Sequence, residues 1–600
     1  MRLVVLTPGI KEVSQAARRL PGGPDTLLYL TNPLYQARWA KDAFPDSQIL
    51  EDDDISRDDR VFNTIAACAQ SWAEQWSAQP GVREKVLYRE IELGQLNKHA
   101  LYHDLFGILK AISFYGILLR DRRPSEILAV DDGSWWFRSL RFLAERETIP
   151  FTAIPGDIRQ PLAKPSASRA RGLKDLLSWV NRAKAGLAPR GGILYSCALK
   201  FSEPLLKRGR GNYLLRKEFS AHAFQAGWTY SYTHLLPEYF ARQERRPSPE
   251  AAFDLEGALA ALQKIGEGGF FSFEGINAWP LLKDHFTRWM RNTLSDAVRQ
   301  VDAFFGMLRR ITPRAIVVDE DILFFNKALV SCARRLAIPT YTMLHGVPFT
   351  AFESMPTSDK TLAWGRSTRE RLGRWGMNGD RVIETGAPQY DDLKKFDPLR
   401  AEAKVRRDFQ FPGSLKIILL AVSNLHTNEQ PNPKYPRISY FQKNLSGAVR
   451  TTLGCLERFP QAVLVIKSHP ADRHLWFTRQ IVEAWPAGVK NRVRIVQDYF
   501  TPDLIAAANL VLTTGSTVYF EALLMRRPAL IYDYENPRFC SFMSEEFLNL
   551  DDPDGCQRML AERLTAGRAE IAERQKGELG RHFHQSNECA VEGVLEALGR

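Results

Sequence analysis

Cysteine is sparse in this sequence and never clustered. Seven cysteines stand singly at 68, 197, 332, 455, 540, 556 and 589 of 600 residues, with no CxxC pair. An odd, scattered set argues against a disulfide framework or a cysteine zinc site, so the expected compartment is the cytoplasm. Long apolar runs are also absent: nothing approaches the ~18–20 residues that span a bilayer. The opening MRLVVLTPGIKE turns polar too soon for a signal peptide and is expected to form a first strand. There is no low-complexity segment. No helix-turn-helix, finger or other nucleic-acid signature accompanies the net charge of +12, so nucleic acid is not an expected partner. That charge suits an anionic membrane surface or an acidic glycan better. What remains is an ordinary large globular composition, 44% hydrophobic and 25% charged. Its length implies about three or four domains.

The chain is organised around residues 461–534. Three apolar runs of strand length, Val463–Ile466, Val493–Val496 and Leu510–Leu512, are followed by Pro528–Tyr532, with helical stretches expected at 473–484 and 517–526. Short apolar strands alternating with helices predict βαβ units and a buried parallel sheet. Ligands of such sheets bind outside the strands' carboxyl ends. Two polar clusters fall there: Lys467-Ser468-His469-Pro470 and Thr513-Thr514-Gly515-Ser516-Thr517. The second runs straight into a helix, and a helix start offers N–H groups to phosphate. Glu521, one turn further on, is placed to accept hydrogen bonds from ribose hydroxyls. A nucleotide lying across the strand ends is the ligand this predicts.

Strands are expected at 2–6 and 27–30, and helices at 61–78 and 98–119. Residues 125–157 then give strand, acidic turn, amphipathic helix and strand, and residues 313–347 repeat that order. The parallel suggests two Rossmann-like domains built alike, on a match too short to establish duplication. Between them, 158–190 is Pro-punctuated and basic, with Leu173, Leu176, Leu177, Trp179 and Val180 as its apolar component. One reading is a basic amphipathic helix on a membrane surface; the other is a linker whose helix packs on its neighbour. The predicted fold is α/β: 1–160 an N-terminal Rossmann-like domain, 161–190 a basic linker, 191–350 a second Rossmann-like domain, and 351–600 a third with a helical tail free of strands. A new βα series starts with the strand at 416–423, whose last residue, Ser423, joins the donor-side cluster.

Histidine 345 sits in YTMLHGVPF, on a turn directly after a strand. Its ordinary pKa near ~6.5 suits a general base, and the alternative is a histidine that merely caps a turn. Asp319 and Asp321, in the acidic turn before it, are the competing bases; as strand-end acids they are equally explained by solvation. His582 and His584 form an HxH without a carboxylate or cysteine cluster beside it, so no metal site is expected. Asn424 and His426 open a Pro-rich loop, 424–438, that either closes over a cleft or simply connects two elements.

Taken in order, HGVP, AWG, ETGAPQYD, KSHP and TTGSTVYFEAL resemble the GT-B glycosyltransferases. They are most similar to the group of CDP-glycerol glycerophosphotransferases, KpsC/KpsS-like capsule-polysaccharide transferases and bacterial polysialyltransferases. The resemblance covers about residues 313–535. It implies two facing Rossmann-like domains, here with an additional one in front. It implies His345 as the base, with Gly346 and Pro348 in place, and His469-Pro470 on the donor phosphates. The family's Ser/Thr motif falls on Thr514, Ser516 and Thr517, although Gly-Ser-Thr stands where serines are usually paired. Lys467, Gly515 and Glu521 complete the expected donor set. Such enzymes stabilise the leaving phosphate with helix starts and His or Lys, so no metal or other cofactor is expected. The implied reaction moves a sugar or polyol phosphate from a nucleotide-activated donor, CMP- or CDP-linked, to a surface polysaccharide or its lipid-linked acceptor. A sugar-nucleotide 2-epimerase of the same fold, or a non-catalytic nucleotide-binding component of an assembly complex, are the rival readings, because one fold hosts many activities.

Overall fold

The computed structural model describes residues 1–6, 24–30, 46–50, 55, 59–131, 133–155, 191–208, 212–215, 233–235, 253–348, 355–423, 438–470, 472, 475–535, 540–566, 568–584 and 589–599. The basic segment 158–190 and the loop with Asn424 and His426 lie outside them.

The first sheet holds β1 (Arg2–Leu6), β2 (Thr26–Leu30), β3 (Gln48–Leu50), β6 (Glu126–Asp131) and β7 (Phe151–Pro155) in the order β3-β2-β1-β6-β7. Between β3 and β6 come α1 (Asp59–Gln75), a ribbon of β4 (Leu87–Tyr88) and β5 (Ile91–Glu92), and α2 (Lys98–Arg122); α3 (Trp135–Arg146) joins β6 to β7. The second sheet holds β8 (Ile193–Ser196), β9 (Tyr213–Leu215), β10 (Thr233–Leu235), β13 (Ala315–Val318), β14 (Thr340–Met343), β15 (Lys360–Ala363) and β16 (Val382–Glu384) in the order β10-β9-β8-β13-β14-β15-β16. Inserted before β13 are α4 (Leu255–Glu267), a ribbon of β11 (Ser272–Phe273) and β12 (Ile276–Asn277), and α5 (Trp279–Ile311); α6 (Phe324–Arg335) follows β13. The third sheet holds β17 (Lys416–Ala421), β18 (Ala462–Lys467), β19 (Val493–Val496), β20 (Leu510–Thr513), β21 (Ala529–Asp533) and β22 (Leu548–Asn549) in the order β19-β18-β17-β20-β21-β22. Its helices include α7 (Ile438–Arg458) and α8 (Val518–Leu524), and α9 (Ala590–Ala597) ends the chain.

In all three sheets the chain starts in the middle, winds to one edge, then returns and winds to the other. That is the doubly wound Rossmann order, and each crossing leaves a ligand-accepting crevice beside the first strand. All strand pairs within the three sheets are parallel. Strands covered on both faces need apolar side chains throughout, hence the fully buried AVLVIK of β18 and ALIYD of β21. The fold is therefore α/β, with a GT-B pair of Rossmann-like domains behind an additional N-terminal one.

The first two domains have separate sheets but one hydrophobic core, running from Leu3 through α1 and α2 into α4, α5 and α6. Helix α5 makes this weld. It presents Leu282, Phe286, Met290, Leu294, Ala297 and Val301 at helical spacing, all buried. Trp76 of the first domain meets Phe286 and Trp289 edge-on at 5.8 and 5.5 Å. The Tyr88 hydroxyl donates to Asp302 at 2.8 Å.

Three sequence expectations need correcting. The second domain does not end at 350: β15 pairs with β14, and β16 with β15, so its sheet runs to Glu384. The HGVP turn is one loop of that series, not its close. The tail is not free of strands, because β22 pairs with β21 through two residues, too few to show a pattern. Nor does the tail belong wholly to the third domain. Helix α9 returns to the second sheet, where Val591, Val594 and Leu598 pack with Ile193, Tyr195, Val317 and Leu362.

Candidate functional site

The acidic turn after β13 builds the platform for His345. Asp319 accepts the Ala198 amide through Oδ2 at 2.8 Å and the Asn326 side-chain amide through Oδ1 at 3.3 Å. It thus ties the end of β8 to α6 at the point where strand order reverses. Its backbone oxygen lies 2.8 Å from Nδ1 of His345, whose side chain is exposed. A carbonyl only accepts, so Nδ1 carries the proton and Nε2 is the basic nitrogen.

The two aspartates are not placed as bases. Asp321 is buried, and its Oδ2 accepts the amide and hydroxyl of both Thr357 and Ser358, at 2.6 to 3.1 Å. A carboxylate so engaged anchors the loop into β15 and cannot meet an acceptor. Asp319 is likewise occupied on both oxygens. The carboxylate that sequence reading passed over is Glu320, between them. Its Oε2 takes the Ile322 and Leu323 amides at 2.9 and 2.8 Å, and its Oε1 the Asn326 amide at 3.1 Å. Burial pushes its pKa up to about 7; the two amides pull it down, and the charges of Asp319 and Asp321 add to the rise. The acidic triplet was the signal, but its middle member was not singled out.

The AWG motif explains how the His345 turn meets the third domain. Trp364, at the end of β15, donates Nε1–H to the Leu344 carbonyl at 2.8 Å. Its ring lies edge-on to Tyr390 at 5.4 Å and to Phe520 of α8 at 5.8 Å, and stacks on Phe583 at 5.7 Å. Val347 packs against the same core. One indole therefore links the backbone beside His345 to the helix carrying Glu521. Gly365 is needed for close approach: a Cβ there would stand 2.7 Å from the His582 carbonyl oxygen.

The carboxyl ends of the third sheet carry the predicted donor-side residues. Ser423 and Thr514 lock β17 to β20, the Ser423 amide donating to Thr514 Oγ1 at 3.0 Å and its hydroxyl to the Thr514 carbonyl at 3.1 Å. This lock sits in the crevice of the third sheet. The Ser516 amide donates to Thr513 Oγ1 at 2.9 Å, and the Ser516 hydroxyl accepts from the Val518 amide at 3.4 Å. Gly515 has φ +89°, a conformation that favours glycine. Among the described residues, the amides of Gly515 and Thr517 donate to nothing. Tyr390, from the ETGAPQYD motif, hydrogen-bonds the Thr517 hydroxyl; burial, then the nearby Glu521 carboxylate, raises its pKa. Glu521 is half-buried.

On the neighbouring strand end His469 and Pro470 are exposed. Their turn is stapled by Gln497, whose side-chain amide donates to the carbonyls of His469, Pro470 and Asp472 at 3.1, 3.2 and 2.7 Å. Lys467 does not join them. It is 6% exposed, its ammonium donates to the Ser468 and Gln497 carbonyls at 2.9 and 2.7 Å, and burial lowers its pKa. It closes the end of β18 and is not a phosphate cation in this arrangement. Helix α8 spans only seven residues, so its dipole adds less than the loop's own N–H groups. His582, of the HxH pair, is a core residue between the Ser367 hydroxyl at 2.9 Å and the Met543 carbonyl at 2.7 Å.

A family described as Capsule polysaccharide biosynthesis protein matches residues 446–533, from within α7 to the end of β21. No curated protein matches the chain by sequence. Among solved structures, UDP-GlcNAc 2-epimerase from Neisseria meningitidis, bound to UDP-GlcNAc, aligns with 68% of this chain and 99% of its own at 12% identity and TM-score 0.41. The S. aureus MnaA–UDP structure aligns with 68% of this chain and 95% of its own at 11% identity and TM-score 0.43. Anabaena Alr3699/HepE, in complex with UDP and glucose, aligns with 68% of this chain and 99% of its own at 13% identity and TM-score 0.41. The fold assignment rests on the strand orders above. Among the described residues, no helix is long and apolar enough to cross a membrane.

Proposed function

We propose that the chain is a GT-B glycosyltransferase of capsule or related surface polysaccharide assembly. It takes a sugar or polyol phosphate from a cytidine nucleotide donor and passes it to a polymeric or lipid-linked acceptor at an anionic membrane face. The donor's phosphate rests on the Gly515 and Thr517 amides with His469 beside it, and Glu521 receives the ribose. His345 takes the acceptor's proton on Nε2 while Asp319 holds Nδ1. The negative charge that develops on the leaving phosphate is met by fixed N–H groups, which need no reorganisation as the bond breaks. No metal is required in this scheme.

The observation that carries the reading is the Trp364 link, through which the His345 turn and helix α8 share one packed core. In this reading a base and a phosphate loop on two different domains face one cleft, and the link supports it. The family match over the third sheet supports the polysaccharide context. The test is a thermal-shift screen of CMP, CDP, UDP and GDP with EDTA present. A cytidine nucleotide should stabilise most, by ~2.7 kcal/mol at 100 times its Kd, and Glu521→Ala should diminish the effect. Stabilisation by UDP alone, with epimerisation of a UDP-sugar and no transfer, would contradict it.

A further inference from the structure

A cluster of basic side chains lies where the first and second domains meet. Helix α2 opens with Lys98 and His99, and its N-cap residue Asn97 makes no side-chain capping bond. A 25-residue helix carries its positive end there. His99 and His103, one turn apart, face each other with their Nε2 atoms 3.3 Å apart. Lys327 of α6 lies near enough to His99 for its charge to lower the pKa of that imidazole. It is only 8% exposed, and among the described residues its ammonium has no hydrogen-bond or ion-pair partner.

An unpartnered buried ammonium is costly, because burial removes water without replacing it. The nearby carboxylates of Asp321 and Glu74 offset the burial only in part. Glu74 is paired with Lys98 at 2.8 Å. Asp104 faces His285 at 3.2 Å. Asp321 spends Oδ2 on Thr357 and Ser358, while its buried Oδ1 has no partner. Burial brings the Lys327 pKa down to about 8, leaving it largely charged at neutral pH, and brings that of His99 down to about 4. The cluster adjoins the proposed catalytic platform: Lys327 follows Asn326, whose amide holds Asp319 and Glu320.

We propose that this seam binds an oxyanion, a carboxylate or phosphate of the acceptor, on Lys327 with His99, His103 and the start of α2. Naming the ligand as acceptor rests on the transferase reading; the anion site does not. It gives the N-terminal domain a task, holding an acidic acceptor beside the domain that carries His345. The ammonium, compensated only in part and without a direct partner, is then a feature kept for binding at the expense of stability.

The test titrates glucuronate and, separately, inorganic phosphate onto the full chain at low salt by calorimetry, with melting followed in parallel. Lys327→Met keeps the length and removes the charge. It should weaken binding of at least one anion tenfold or more, while the anion-free chain melts at the same temperature or higher. Lys327-dependent binding of glucuronate identifies a sugar carboxylate, and Lys327-dependent binding of phosphate alone identifies a phosphate group. Affinities for both anions within twofold of wild type would overturn the proposal. So would a Lys327→Met chain melting well below wild type, since the ammonium would then be a structural partner. The measurement needs no turnover, so it stands or falls separately from the transfer reaction.

Discussion

At the scale of single residues, the site depends on side chains that orient other side chains. Asp319 serves His345 through its backbone oxygen, Trp364 holds the peptide before it, and Gln497 staples the His469 turn. Glu320 is a carboxylate whose protonation the fold disturbs. Its folded pKa is raised to about 7 from an ordinary 4.5. Between those values the folded chain holds more protons than the unfolded one, so this group's contribution to stability falls as pH rises through that window. Glu320→Gln removes the dependence while keeping an acceptor for the Ile322 and Leu323 amides. The melting temperature of the variant relative to wild type should climb by a few degrees from pH 5 to pH 7.5 and then level off. A difference constant over that range would mean that Glu320 ionises normally. The sequence showed His345, His469 and the 513–517 loop because each directly follows an apolar run. It did not show that Lys467 and Asp321 are spent on backbone and hydroxyl partners, since those partners are chosen by packing between strands distant in sequence.

At the scale of elements, the longer strands such as β1, β6, β13, β18 and β20 were legible, because doubly covered strands are apolar along most of their length; β3, β9, β10 and β22, of two or three residues, were not. The destination of the last helix was not. Its apolar face declares that it packs, not on what. Helix α9 is fastened by Asp391 of the ETGAPQYD motif, whose carboxylate accepts the Ala590 and Val591 amides at 3.1 and 3.0 Å. Gly386 and Gly593 allow the close approach, since a Cβ at either would meet Ala590 Cβ at 2.7 Å or the Thr385 carbonyl oxygen at 3.0 Å. The motif is thus a fastening for the returning tail, and its Tyr390 reaches the 513–517 loop. Asp391→Ala should cost about 0.5–2 kcal/mol in urea unfolding, the usual range for a lost N-cap. An unchanged midpoint would show that α9 is held by its apolar face alone.

At the scale of the whole molecule, three sheets of one winding order are joined in two different ways. The first and second share a continuous core through α5, with Trp72 edge-on to Phe271 at 5.2 Å as a further contact. The second and third meet around Trp364, which packs with Tyr390, Phe520 and Phe583. Sequence reading placed boundaries at 160 and 350 because a basic segment and the HGVP turn look like ends. Strands β15 and β16, four and three residues long, carry the second series past the boundary at 350. Residues 1–190 expressed alone should therefore not form a native domain. Near-UV circular dichroism should be weak and sedimentation should show self-association, since the fragment exposes the face that α5 covers. A monomer with sharp aromatic bands and cooperative melting would contradict a shared core.

The claim on which the account turns is that the base and the donor loop sit on different domains of one cleft. His345→Asn tests it most directly, with transfer turnover and donor binding measured on the same preparation. Asparagine keeps a polar side chain but takes no proton at neutral pH. Turnover should fall by ~10²–10⁴, as for loss of a general base, with donor affinity within twofold of wild type. Near-wild-type turnover with donor bound would remove His345 from the chemistry, and a parallel loss of donor affinity would place it in the nucleotide site instead.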